Sequence, residues 1–117
     1  MQRPDIDYDE LNPGIRETVR WLRSLDFDTV DSGDGETHEY ECDRDEPYVV
    51  VRCHGLLLCG EADRLARALR HRGIDLSPVY EGPVYIQASY DPANEIAVIE
   101  LVGVKDDMLR RNHRAAT

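Results

Sequence analysis

The sequence predicts a two-layer α+β domain with elements in the order α-β-β-α-β-β, a mainly antiparallel sheet and both long helices on one of its faces. Two stretches place apolar residues at helical spacing, Ile15-Val19-Leu22-Leu25 and Leu58-Ala62-Leu65-Ala66-Leu69. Each precedes runs rich in β-branched and aromatic residues, separated by short turns rich in Asp, Pro and Asn, which is the pattern of hairpins. A chain of 117 residues with 41% hydrophobic content supports one modest core, best closed by laying two helix stripes on one sheet face. The chain is therefore read as a single domain, 1–117, with flexible ends near 1–10 and 110–117.

In chain order, Asn12-Pro13-Gly14 reads as a helix start, with Asn12 accepting from otherwise unpaired amides and Pro13 at a position where the missing N–H costs nothing. The helix is expected to end near Leu25 or Asp26. Phe27, Thr29 and Val30 suggest a short strand entering the turn Asp31-Ser32-Gly33-Asp34-Gly35, after which Thr37-His38-Glu39-Tyr40-Glu41-Cys42 alternates as a strand. Tyr48-Val49-Val50-Val51-Arg52-Cys53 is the strongest strand pattern, and residues 37–42 are its simplest hairpin partner. The second helix is clear from Glu61, with Arg70, His71 and Arg72 at its carbonyl end and Gly73-Ile74 as its exit. Residues 84–90 and 95–102 form the second strand pair, and a last helical turn is expected from Lys105 to Leu109.

Charge excludes some functions. Residues 1–47 hold fifteen Asp or Glu against five Arg, whereas residues 48–117 hold nine acids against nine bases. An acidic half of this kind opposes phosphate backbones, so nonspecific nucleic-acid binding is not expected. No stretch reaches the roughly 20 apolar residues of a membrane span, and the start lacks a secretion signal, which sets a cytoplasmic expectation. The three cysteines, Cys42, Cys53 and Cys59, are too few for a disulfide framework and read as reduced thiols.

The candidate contact region is the loop Asp31, Ser32, Gly33, Asp34 and Gly35, at the end of the acidic half. Its glycines supply a tight turn and its aspartates either cap amides or meet a partner. A sharper alternative brings Asp31, Asp34 and His38 around a divalent metal, with His38 and Glu41 activating water as in a metal-dependent hydrolase. His38, Cys42, Cys53, His54 and Cys59 supply nitrogen and sulfur for zinc, but without a Cys-x-x-Cys pair. No nucleophile elbow, dinucleotide fingerprint or phosphate-binding loop is present, so a noncatalytic role without a cofactor is the leading expectation. Arg64, Arg67, Arg70 and Arg72 make the second helix basic, suited to an anionic small ligand, to the acidic half of this or another copy, or simply to solvent and intrahelical pairing.

Leu11-Asn12-Pro13-Gly14-Ile15, the passage from Leu25 through Gly35, Glu61-Ala62-Asp63-Arg64-Leu65 and Ile86-Gln87-Ala88-Ser89-Tyr90-Asp91-Pro92 resemble a family of small α/β proteins, of no established activity, encoded by tailed bacteriophages and prophages. The similarity spans most of residues 11–102 and transfers no catalytic role to any residue. It implies a phage-type accessory protein that binds a host or phage protein, or a small ligand such as a nucleotide signal, without catalysis. A structural assembly accessory and a homodimer are the remaining alternatives.

Overall fold

The computed structural model describes residues 8–37, 44–77 and 82–110. Pro13–Ile15 form a 3-10 turn that runs directly into helix α1 (Arg16–Ser24), whose inner face buries Thr18, Val19 and Leu22. Asn12 does not cap this helix as expected; its side-chain Oδ1 accepts instead from the Asp34 amide at 3.2 Å. The first-turn amides are satisfied from the far end of the chain, by Asp106. Its carboxylate accepts from Glu17 N at 3.1 Å, Thr18 N at 2.7 Å and Thr18 Oγ1 at 2.8 Å. Asp106 is 1% exposed, and those donors together with the positive end of the helix offset the desolvation of a buried carboxylate. Tyr8–Glu10, within the stretch expected to be flexible, form a 3-10 turn, and Tyr8 packs against the core with Arg20 over its ring.

Both long helices end in the same way. After α1, Asp26 N–H donates to Arg23 O and Phe27 N–H to Leu22 O; after helix α2 (Leu58–His71), Gly73 N–H donates to Arg70 O and Ile74 N–H to Leu69 O. This double closure requires a left-handed residue, supplied by Gly73 at φ 75° and by Asp26 at φ 67°. The following Phe27 and Ile74 are buried, so each exit turns the chain back into the core. Gly55–Leu57 form a 3-10 turn ahead of α2, leaving Leu56 and Leu57 exposed.

The sheet contains strands β1 (Asp28–Gly33), β2 (Tyr48–His54), β3 (Tyr85–Asp91) and β4 (Ile96–Val102), all antiparallel, in the order β1-β2-β4-β3. The strand entering the glycine turn is longer than expected and takes in Asp31, Ser32 and Gly33. Residues 38–42 of the expected hairpin strand lie outside the described residues, and both hydrogen-bonding edges of β2 are taken by β1 and β4, so the simple 37–42 pairing gives way to a more distant one. Val49 and Val51 face Leu101 and Ile99 beneath the helices, and Leu65, Leu69, Leu22 and Phe27 close the core above them. The other face is polar over much of its area: Arg44 reaches Glu100 at 2.5 Å, Gln87 reaches the same carboxylate at 3.0 Å, and Arg52 pairs with Asp28. The helices therefore occupy one face, as the sequence predicts.

Replacing Asp106 by Ala strips three donors of their buried acceptor and is expected to destabilise the fold by about 3 kcal/mol. Asp26→Gly, by relieving a left-handed side-chain residue, is expected to stabilise by about 0.5–1 kcal/mol. Urea unfolding with unchanged m-values checks both.

Candidate functional site

The loop singled out in the sequence divides its roles. Asp31 is exposed and Ser32 half-buried, and together they line an open cleft of about 400 Å³ with Glu10, Leu11, Asn12, Val19, Thr29 and Val30. Asp34, by contrast, is 3% exposed and accepts from Gly14 N at 3.3 Å, Glu36 N at 2.9 Å, Thr37 N at 2.7 Å and Thr37 Oγ1 at 2.9 Å. It caps the turn from inside. Gly33 is buried under the Tyr48 ring, and Gly35 takes φ 76° with the backbone of Asp45–Pro47 filling the space of a side chain. The loop is thus clamped on three sides, and only its first two residues open onto the cleft.

His38 and Glu41, the alternative catalytic pair, lie outside the described residues, as does Cys42. Among the described residues no three His, Cys, Asp or Glu side chains are grouped to hold a metal ion. Cys53 and His54 fall on opposite sheet faces, consistent with their adjacency in a strand. Burial, with Glu61 nearby, pushes the Cys53 thiol up from its usual range, which disfavours the nucleophilic thiolate. The His54 ring accepts from Leu56 N–H through Nδ1 and faces Glu95 through Nε2 at 3.4 Å.

A second concavity lies between the C-terminal halves of α1 and α2. It has a volume of about 310 Å³ and is lined by Trp21, Leu25, Phe27, Arg64, Ala68, His71 and Arg72. Trp21 and Leu25 stand one turn apart on α1, and Arg64, Ala68, His71 and Arg72 form one stripe at i, i+4, i+7 and i+8 on α2. The two arginines lie over the two aromatic rings, Arg64 at 3.8 Å from the Phe27 centroid and Arg72 at 5.3 Å from that of Trp21. Flat guanidinium faces continue the apolar lining while their edges remain donors.

The two arginines differ in what those donors do. Arg64 bonds Leu25 O, Asp26 O at 3.3 Å and Glu61 through Nε at 3.0 Å, so it locks the end of α1 to α2. Arg72 has its Nε buried without a hydrogen-bond acceptor among the described residues. The carbonyls at these helix ends, which would repel an anion, are largely occupied: Leu22, Arg23, Leu69 and Arg70 by the exit amides, Leu25 and Asp26 by Arg64. The groove therefore combines an apolar floor with a cationic edge. Of the other basic residues, Arg67 pairs with Asp63 at 2.5 Å within the helix, while Arg70 is exposed.

The sequence offered part of this groove. The stripe 64-68-71-72 sits beside the Leu65-Leu69 core stripe at ordinary helical spacing, but its meeting with Trp21 depends on how the two helices lie on the sheet. Comparison with protein-family models, curated proteins and solved structures finds no match.

Burial raises the Asp34 carboxyl, but hydrogen bonds from Glu36 N, Thr37 N, Thr37 Oγ1 and Gly14 N outweigh it and hold the pKa below 3.8. A depressed folded-state pKa contributes stability that is present above 3.8 and lost as pH falls through the folded value. Asp34→Asn is expected to lower stability at neutral pH and to flatten the acid limb of the stability-pH curve; an acid limb as steep as that of the parent protein would contradict this role.

Proposed function

We propose that the protein is a noncatalytic binding domain whose site is the groove between the C-terminal halves of α1 and α2. The observation that carries this reading is the pairing of an apolar floor, Trp21, Leu25, Phe27 and Ala68, with the cationic edge of Arg72. A ligand suited to it has a compact apolar body and one negative end, such as an aromatic carboxylate, either free or presented by a protein segment. Its apolar part would displace water from Trp21 and Leu25, and its carboxylate would take the outward donors of Arg72, a charge-assisted contact stronger than a neutral hydrogen bond. The volume of about 310 Å³ admits a single ring or branched chain and is small for a dinucleotide.

The resemblance to phage-encoded accessory proteins supplies the context for this reading. A small accessory domain of that kind would capture a host or phage protein, or a small ligand, by occupancy rather than by turnover. The acidic charge of the first 47 residues would favour partners that carry a single buried anion within a neutral or basic surface.

Trp21 is the sole tryptophan, so its emission reports directly on the groove. Titration with phenyl-substituted carboxylates is expected to change Trp21 fluorescence saturably, with the matching amides binding about tenfold more weakly and Arg72→Met losing a similar factor. Unchanged emission, together with unmoved backbone NMR signals at Leu25 and Ala68 across the series, would sink the reading.

A further inference from the structure

Apolar surface lies open at one end of the sheet. Tyr90 is 50% exposed, and its ring lies against Gly55, where a Cβ would stand 2.1 Å from Tyr90 Cε2. From Gly55 the chain passes into Leu56, 88% exposed, and Leu57, 61% exposed. The turn that presents these leucines is fastened. Gly55 N–H donates to Glu95 O at 2.8 Å, tying the turn to the β3–β4 hairpin, and His54 Nδ1 accepts from Leu56 N–H at 3.2 Å. Scattered exposed leucines need no explanation, but two in a fastened turn beside an exposed tyrosine form a contact surface.

This is the end of the sheet where His54, Ile96 and Asp91 pair. The internal breaks in the described chain adjoin the other end, where Tyr48, Val102 and Tyr85 pair: Thr37 bonds Asp34, Arg44 stacks on Tyr48, and Ser77 bonds Val84. The patch shares no residue with the groove between α1 and α2.

Charge selects the occupant. The two segments that meet at the patch, 53–63 and 85–102, contain no Lys or Arg. Asp91 and Glu95 flank it, both exposed, and neither pairs with Lys or Arg among the described residues. Hydrogen bonds from the Asn94 side chain and Ala93 N–H hold the Asp91 carboxyl below its ordinary value, while Glu95 meets His54 Nε2 at 3.4 Å. The bases of the adjoining elements are engaged elsewhere. Arg64 pairs with Glu61 and Arg67 with Asp63 along α2, and Arg52 pairs with Asp28 on the opposite face of the sheet.

We propose that this patch docks a basic amphipathic segment of another protein, whose apolar side chains cover Leu56, Leu57 and Tyr90 while its Lys or Arg side chains meet Asp91 and Glu95. A second copy of the chain fits poorly. Two-fold pairing through the patch would set these carboxylates near their own counterparts, on chains that each carry a formal net charge of -10. An anionic lipid surface would meet the same repulsion. A basic partner is drawn in by the net charge and anchored by the leucines, so charge governs the encounter and apolar burial the residence.

NMR titration of the full chain tests the proposal with two probes, a roughly 14-residue amphipathic peptide of Leu and Lys, about four helical turns, and a Ser and Lys peptide of equal charge. The Leu-Lys peptide is expected to shift the amide signals of Gly55, Leu56, Leu57 and Tyr90 saturably and to bind at least tenfold more tightly than the Ser-Lys peptide. Both leucines are exposed, so the double substitution Leu56→Ser, Leu57→Ser should keep the fold and abolish that advantage. Glu95→Gln should weaken binding about threefold. Equal affinity for the two peptides, shifts confined to residues 1–47, or a double variant that binds as the parent does would overturn the proposal. So would a self-association, or an attachment to phosphatidylserine vesicles, that the parent protein shows and the double variant loses, since either gives the patch a different occupant.

Discussion

Everything in the helical layer depends on finding acceptors for amides at the start of α1 that have none nearby in the chain. The cap residue before α1 makes no side-chain bond, and Asn12 is engaged elsewhere. Two buried carboxylates fill the gap: Asp106 takes the amides of Glu17 and Thr18, and Asp34 takes the amide of Gly14. A buried carboxylate is tolerated only when its oxygens are well supplied with donors. Sliding α1 by one residue along the sheet would strip these groups of partners together, so the bonds fix the position of the helix as well as its stability.

With its start held in this way, α1 is held at its other end by Arg64, which reaches across from α2 to the last carbonyls. Between those fixtures Val19 and Leu22 lie on the sheet, while Trp21 and Leu25 are turned toward α2. The groove follows from that division of the α1 surface. Its aromatic wall is rigid because Phe27 is a core residue, and its cationic edge is held by stacking on the rings.

The elements were legible in the sequence because each rests on local chemistry. The apolar stripes, the β-branched run Tyr48–Cys53 and the glycine exit at Gly73 all declare themselves within a few residues. The α+β class and the placement of helices on one face follow from them. Strand order did not, because β2 can pair with several runs of similar pattern and the choice is made by burial across the whole sheet. Which aspartate of the glycine loop caps amides was not legible for a related reason. Asp34 looks like a ligand by composition, yet its role is set by Gly14 and Thr37 closing around it. Asp106 was invisible as a cap, since a spacing of 88 residues from Thr18 leaves no local pattern. Conversely, Asp26 occupies the same exit position as Gly73 without being a glycine, which hid the similarity of the two helix ends.

The spacing between Asp106 and α1 also bears on synthesis. α1 leaves the ribosome 88 residues ahead of its buried acceptor, and the central strand β2 waits for β4 to complete its pairing. Contacts this distant in sequence must be formed against the entropy of closing long loops. A nascent chain stalled before residue 96 would hold two amphipathic helices and a half-paired sheet, with apolar surface open to chaperones and proteases. The amides at the start of α1 therefore find their acceptor only when the last turn of the described chain is in place.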